Sequence, residues 1–238
     1  MSIDDKREST GKFGVIVPLQ KDLKSFLAEK EIKENKLLSG FGYFLLKFER
    51  IFDVIRTIIT EIIKKNGLEE ERYIDILLYE TTAGPLGNYY RAVMFEYYHK
   101  SEEWEKINKF NTEFHEKLKQ AITIRNFLMH ADYNMSTYKH ERLFGKRFEV
   151  DKKTGELKNK FEYSTSFETF ENWNQSLLNL LAMIKTIEFN LINGFPILND
   201  VNIDDFKNVK FAWLKNDEEN HRGKKKESRK AAARIKNG

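Results

Sequence analysis

Between Tyr43 and Lys65 the apolar residues recur by threes and fours: Phe44, Leu45, Phe48, Ile51, Phe52, Ile55, Ile58, Ile59, Ile62 and Ile63. Down about six helical turns they draw one broad stripe, too wide to face water and wide enough to meet several neighbours. Asn66-Gly67 supplies the stop. A chain holding such a rod folds around it, so this segment predicts the central helix of a bundle.

The flanking segments follow the same logic. Lys21 to Lys36 is rich in helix formers, with Leu23, Phe26, Leu27 and Ile32 partly in register, and reads as a separate, earlier helix. Another runs from about Glu70 to Thr82 and is broken at Ala83-Gly84-Pro85. The next, from about Leu86 to Lys100, carries Tyr89, Tyr90, Val93, Met94, Tyr97 and Tyr98. Tyrosines at that density serve either amphipathic packing or the stacking of bases, and packing is the stronger reading.

Ser101-Glu102-Glu103 then opens a long helix, with a hydroxyl at the cap and acids in the first turn. Its stripe is Trp104, Ile107, Phe110, Phe114, Leu118, Ala121, Ile122 and Leu128. After Tyr133 the period changes. Lys146 to Val150, a turn at Asp151-Lys152-Lys153-Thr154-Gly155, and Leu157 to Ser164 read as a β-hairpin that is charged on both faces and stands off the bundle. Thr165 or Ser166 caps a last helix with Trp173, Leu177, Leu180, Leu181, Ile184, Ile187 and Leu191, stopped at Asn193-Gly194. Beyond it, Phe206, Phe211 and Trp213 are anchors for a segment folding back on the bundle. The expected fold is all-α: an antiparallel helical bundle over 41–194 with a hairpin near 146–164 inserted within 142–165. An extension with one helix (1–40) precedes it and a second extension (195–238) follows.

Composition narrows the function. There is no cysteine, which removes disulfides and thiolate metal sites and fits a reducing cytoplasm. Met1 to Arg7 is polar and of mixed charge, unlike a signal peptide, and no apolar run approaches a membrane span. The net charge of +4 is uneven: His221 to Gly238 carries +7, leaving −3 on the rest. Arg222, Lys224, Lys225, Lys226, Arg229 and Lys230 are therefore candidate phosphate contacts, though a solvated tail reads equally well. No His-Glu-x-x-His, phosphate-cradling glycine loop, cysteine nucleophile or serine elbow is present, so neither a metal nor a cofactor is expected.

The end of the long helix is different. Ile124-Arg125-Asn126-Phe127-Leu128-Met129-His130-Ala131-Asp132-Tyr133 gathers a guanidinium, an amide, an imidazole, an acid and a phenol. At about 100° per residue, Arg125 projects almost into the centre of the apolar stripe, where an unpaired charge is costly. His130 lies about 140° round from it, so the two converge only if the helix ends or bends near Met129, if the arginine reaches across, or if a second copy supplies the other half. Asn126 and His130 share a face. None of the other four histidines has an arginine at such a spacing. The plain alternative is a helix end where Arg125 and His130 merely cap carbonyls.

Arg125-Asn126-x-x-x-His130 resembles the R-x(4–6)-H signature of the HEPN superfamily, in which a polar residue commonly follows the arginine and the motif ends a helix of an all-α bundle. The resemblance implies a metal-independent endoribonuclease of prokaryotic defence or toxin systems, with two motifs meeting across a homodimer cleft and, for a toxin, an antitoxin as partner. It implies catalytic roles for Arg125, Asn126 and His130. Tyr133 falls one residue later than the tyrosine of the extended toxin pattern; it stands as an accessory or modifiable phenol. A non-catalytic relative that binds RNA, a nucleotide or a protein is the other outcome the resemblance allows.

Overall fold

The computed structural model describes residues 20–68, 70–130, 132–136, 142–150 and 157–211. Five helices, α1 (Gln20–Lys65), α2 (Glu71–Tyr79), α3 (Ala83–Tyr98), α4 (Trp104–Met129) and α5 (Phe167–Asn193), carry most of the chain. Strands β1 (Asp132–Ser136), β2 (Arg142–Val150) and β3 (Leu157–Ser166) lie between α4 and α5, and a short 3-10 helix follows (Ile203–Asn208). The molecule is thus mostly helical with a small antiparallel sheet.

The central rod is longer than its stripe predicts. The expected helices at Lys21–Lys36 and Tyr43–Lys65 are one helix of 46 residues, about 69 Å long at 1.5 Å per residue. The expected boundary at residues 40–41 falls inside it. Gly40 does not break the helix because tertiary contact uses its missing side chain. A Cβ there would stand 2.9 Å from Phe170 Cβ, and the Asn174 amide donates to the Gly40 carbonyl at 3.0 Å. Toward the C-terminus Phe44, Phe48, Ile51, Phe52, Ile55, Ile58, Ile59 and Ile62 are buried as the stripe requires, each contributing about 1.5–3 kcal/mol relative to exposure. Before Leu37 the same helix leaves Phe26, Leu27 and Ile32 exposed.

Helices α1 and α5 run side by side in the same direction. Phe41 meets Phe170 and Phe44 meets Trp173 near one end, while Lys65 donates to the Leu191 carbonyl at the other. The bundle is therefore not antiparallel throughout, because the long excursion from α2 to β3 returns the chain to its starting end. Helices α3 and α4 are antiparallel: Gly87 faces Leu118, Tyr90 bonds Asn111 and Phe95 packs on Trp104.

Helix α3 begins at Ala83, with Thr82 at its N-cap position, so Ala83-Gly84-Pro85 opens a helix where a break is expected. A first-turn proline loses no intrahelical bond, since its N–H would have had no partner. Helix α4 starts after Glu103 with no side-chain cap; Ser101 serves it by its carbonyl, which accepts from Trp104 N at 3.1 Å. Helix α5 fits its sequence signals at both ends. The Ser166 hydroxyl accepts from Thr169 N at 3.2 Å, and Gly194 adopts the left-handed φ of 73°.

The hairpin forms as β2 and β3, paired from Arg142↔Ser166 to Val150↔Leu157 with an irregularity between Arg147 and Phe148. Its turn, 151–156, lies outside the described residues. Strand β1 pairs with β2 from Asp132↔Lys146 to Ser136↔Arg142, making three strands in the order β1-β2-β3. Leu143 is buried in the bundle core and Thr165 is fully buried, so one end of the sheet is anchored rather than free. After α5 the chain folds back as anticipated. Asn190 donates to the Ile197 and Asn199 carbonyls, Ser176 exchanges two bonds with the Lys210 backbone, and Phe206, Val209 and Phe211 are buried. Trp213 lies outside the described residues. No described helix is long and apolar enough to cross a membrane.

Candidate functional site

Helix α4 ends at Met129, and His130 leaves it with φ −117° and ψ 16°. This termination follows from the change to strand: β1 begins two residues later and is held by β2. His130 keeps one link to the helix, its backbone N–H donating to the Asn126 carbonyl at 3.2 Å. Its side chain is exposed, and among the described residues it has no hydrogen-bond partner.

Arg125 is not at the centre of the buried stripe. Ala121, Ile124 and Leu128 hold that line, fully or nearly fully buried, while Ile122 is half-buried. The stripe turns slightly relative to the sequence reading and leaves Arg125 on its edge. There its side chain is 30 % exposed, which solves the cost of burying a charge by leaving it partly wet. Its Nη1 lies 3.5 Å from Asn126 Oδ1, a weak bond by distance. Its Nη2 lies 3.9 Å from Glu49 Oε1 on α1, and its Nε is buried with no partner among the described residues. Among the described residues the guanidinium therefore has a spare donor and one distant, half-exposed counter-charge.

The structure thus brings Arg125 and Asn126 together, adds Glu49 from another helix, and sets His130 a few residues away at the helix end. It records no hydrogen bond between Arg125 and His130, and none between the Asn126 and His130 side chains. Nor does either side chain cap a helix-end carbonyl among the described residues. Tyr133 stands in β1 opposite Gly145. The basic residues Arg222, Lys224, Lys225, Lys226, Arg229 and Lys230 lie outside the described residues. Glu49 is the member that sequence reasoning missed; it sits on the polar side of the central stripe, and only tertiary packing places it near α4.

A second group of polar residues is buried in the α3–α4 seam. Asn111 is 2 % exposed and His115, one turn on, 6 %. Tyr90 donates to Asn111 Oδ1 at 3.3 Å, whereas Asn111 Nδ2 and His115 Nδ1 have no partner among the described residues. Burial, then Lys119 and Arg91, hold the His115 imidazole below its ordinary pKa, with Glu116 opposing. Burial, with Tyr98 nearby, pushes the Tyr90 phenol up. Of the tyrosine-rich face, Tyr90 is core and Tyr97 and Tyr98 pack edge to face, while Tyr89 remains exposed.

Comparison of the chain with protein-family models, with curated proteins and with solved structures finds no match.

Proposed function

We propose that the chain is a metal-independent endoribonuclease of the HEPN kind, working in the cytoplasm as a homodimer in a prokaryotic defence or toxin setting. The observation that carries this reading is the state of the motif. Among the described residues Arg125 keeps an unused donor, Asn126 touches it, and His130 presents its ring to solvent where α4 ends. Side chains serving only as caps would be bonded to carbonyls instead.

Cleavage by such residues needs three acts. A base takes the proton of the ribose 2′-hydroxyl, whose oxygen attacks the phosphorus. A cation balances the charge that builds on the phosphoryl oxygens. An acid protonates the departing 5′-oxygen, leaving a 2′,3′-cyclic phosphate and a 5′-hydroxyl. Histidine as a residue type suits the proton transfers, and arginine binds phosphate in a two-pronged fork. In this reading Arg125 grips the scissile phosphate, His130 is the acid or base, and Asn126 orients one of these two side chains. One chain offers one of each, so a second copy completes the set. Phosphate binding would draw Arg125 away from Glu49, whose bond at 3.9 Å is easily exchanged. The tail from Arg222 to Lys230 would add sequence-independent affinity for RNA, and an antitoxin would cover the cleft in a toxin pair.

The test is incubation of purified protein with mixed RNA in excess EDTA, with the ends of the products identified. Cyclic-phosphate ends are expected from the wild type, with Arg125→Ala and His130→Ala each lowering cleavage by about a hundredfold or more. Undiminished cleavage by His130→Ala would sink the assignment. One observation favours the non-catalytic reading, in which the chain binds RNA or a partner without cutting: Arg125 and His130 do not meet within one chain. RNA binding by the wild type without any cleavage would decide for it.

A further inference from the structure

Helix α2 (Glu71–Tyr79) is nine residues long, shorter than an isolated helix needs to persist in water. It is seated on the bundle by Ile74 and Leu78, buried one turn apart. Its outer face is apolar where a solvent-facing helix carries polar side chains: Tyr73 is 59 %, Ile76 63 %, Leu77 71 % and Tyr79 85 % exposed. Four large apolar side chains on so short a helix form the kind of contiguous patch that marks a protein contact. Arg72 and Glu80 are exposed at its two ends. Glu80 keeps a helical backbone, φ −88° and ψ 0°, so it continues the same face. Each charge stands at the wrong end for the helix alone, since a cation in the first turn and an anion at the close both oppose the macrodipole.

We infer that this face is the contact for a second copy of the chain, α2 packing antiparallel on α2 about a two-fold axis at Ile76. The order of the residues selects that partner. Arg72 and Glu80 stand four positions either side of Ile76, and Tyr73 and Tyr79 stand three either side. In a two-fold contact, a residue that meets another across the interface is met by it in return. Antiparallel pairing about Ile76 therefore sets Arg72 opposite Glu80 twice and Tyr73 toward Tyr79 twice, with Ile76 on itself at the centre. Parallel pairing would bring like charges together. The antiparallel pair also reverses the conflict with the dipole, because Arg72 then lies beside the C-terminal end of the other α2 and Glu80 beside its N-terminal end. Helix α2 spans only about 14 Å, and a standard interface covers about 800 Å² per partner, so this pairing is weak and reversible. None of its residues belongs to the motif or to Glu49. The contact is therefore different from the motif-to-motif cleft of the cleavage reading and stands whether or not the chain cuts RNA.

The test is sedimentation velocity of the full chain from about 1 to about 200 µM. The wild type should double in mass as concentration rises, with a Kd of about 1–100 µM. Ile76→Glu changes an exposed side chain and should abolish the doubling. Arg72→Glu and Glu80→Arg each set like charges together at two places and should each weaken it by about tenfold or more. Arg72→Glu combined with Glu80→Arg should recover most of that loss. Both reversals suit the helix dipole, so these variants should melt no lower than the wild type at concentrations where it has not doubled; that comparison separates lost association from lost folding. Arg125→Ala should double with the wild-type Kd, so this contact and the cleavage reading fail separately. A constant mass up to about 200 µM would give the face to a different protein. Doubling that survives Ile76→Glu would put the contact elsewhere, and a double variant no better than the single ones would remove the antiparallel register. Each of these three results overturns the assignment.

Discussion

Gly40 and Gly42 stand two residues apart in one helix, yet alanine at each should move stability in opposite directions. Both substitutions gain about 0.8–1 kcal/mol from helix propensity. At Gly42 an added Cβ meets nothing within 4 Å, so that gain is kept whole. At Gly40 the new methyl would stand 2.9 Å from Phe170 Cβ, 3.3 Å from Phe170 Cγ and 3.6 Å from Phe167 Cδ2. The nearest of these is fixed to the α5 backbone and cannot swing aside by a rotamer change. The two helices must separate instead, which stretches the 3.0 Å Asn174–Gly40 bond and loosens Phe44 against Trp173. Overpacking of this kind costs about 1–3 kcal/mol, and a strained hydrogen bond adds up to about 1 kcal/mol. Because the propensity gain cancels between the variants, they should differ by about 2.5 kcal/mol. For a chain of this size that is about 5–10 °C in melting midpoint. Thermal and urea unfolding followed by far-UV circular dichroism measures it. Coincident midpoints, or a Gly40→Ala variant as stable as Gly42→Ala, would show that close approach of α1 and α5 is not what Gly40 provides.

Other expectations are simpler. Ser166→Ala removes the acceptor of Thr169 N and should lower stability by about 1 kcal/mol in urea titration, with Ser166→Asp recovering most of it. Gly194→Ala forces a side chain into φ 73° and should cost about 1 kcal/mol by the same assay. His115 makes stability depend on pH. Its folded pKa lies below the unfolded value near 6.5, so the unfolded chain binds more protons in that window. The stabilisation is complete above about pH 6.5 and declines as pH falls toward the folded pKa. Urea midpoints measured from about pH 7.5 down to 5.5 should fall, and His115→Gln should flatten that slope; identical slopes would remove His115 as the cause.

The sequence showed most where local chemistry decides. Both ends of α5 were legible because a serine hydroxyl and a left-handed glycine act on the nearest backbone, whatever else the fold does. The continuity of α1 was not legible for the opposite reason: a glycine such as Gly40 weakens a helix locally, and only the α5 side chains that crowd it explain why the rod continues. Ala83-Gly84-Pro85 misled through position, since the same three residues break a helix interior but suit its first turn. Strand β1 does alternate, Asp132-Tyr133-Asn134-Met135-Ser136, but five residues are too short a run to announce a strand without the edge that β2 offers. At the motif, the spacing and the asparagine after the arginine singled out Arg125, Asn126 and His130 as candidates, and the end of α4 at Met129 was named as one condition for convergence. The contribution of Glu49 needed the packing of α1 on α4. Asn111 and His115 carried a readable sign, two polar residues in register with an apolar stripe, four apart on the buried face.

The same-direction pairing of α1 and α5 has a consequence during synthesis. Lys65 and Leu191, in contact in the folded chain, are made roughly 6–25 s apart at ordinary ribosomal speeds of about 5–20 residues per second. Until α5 emerges, the isoleucine-rich flank of α1 has no permanent cover, and closing so large a loop is slow compared with the docking of neighbouring segments. The nascent chain is therefore a natural client for a holdase, and the emergence of α5, rather than growth of the first half, is the moment at which this fold can close.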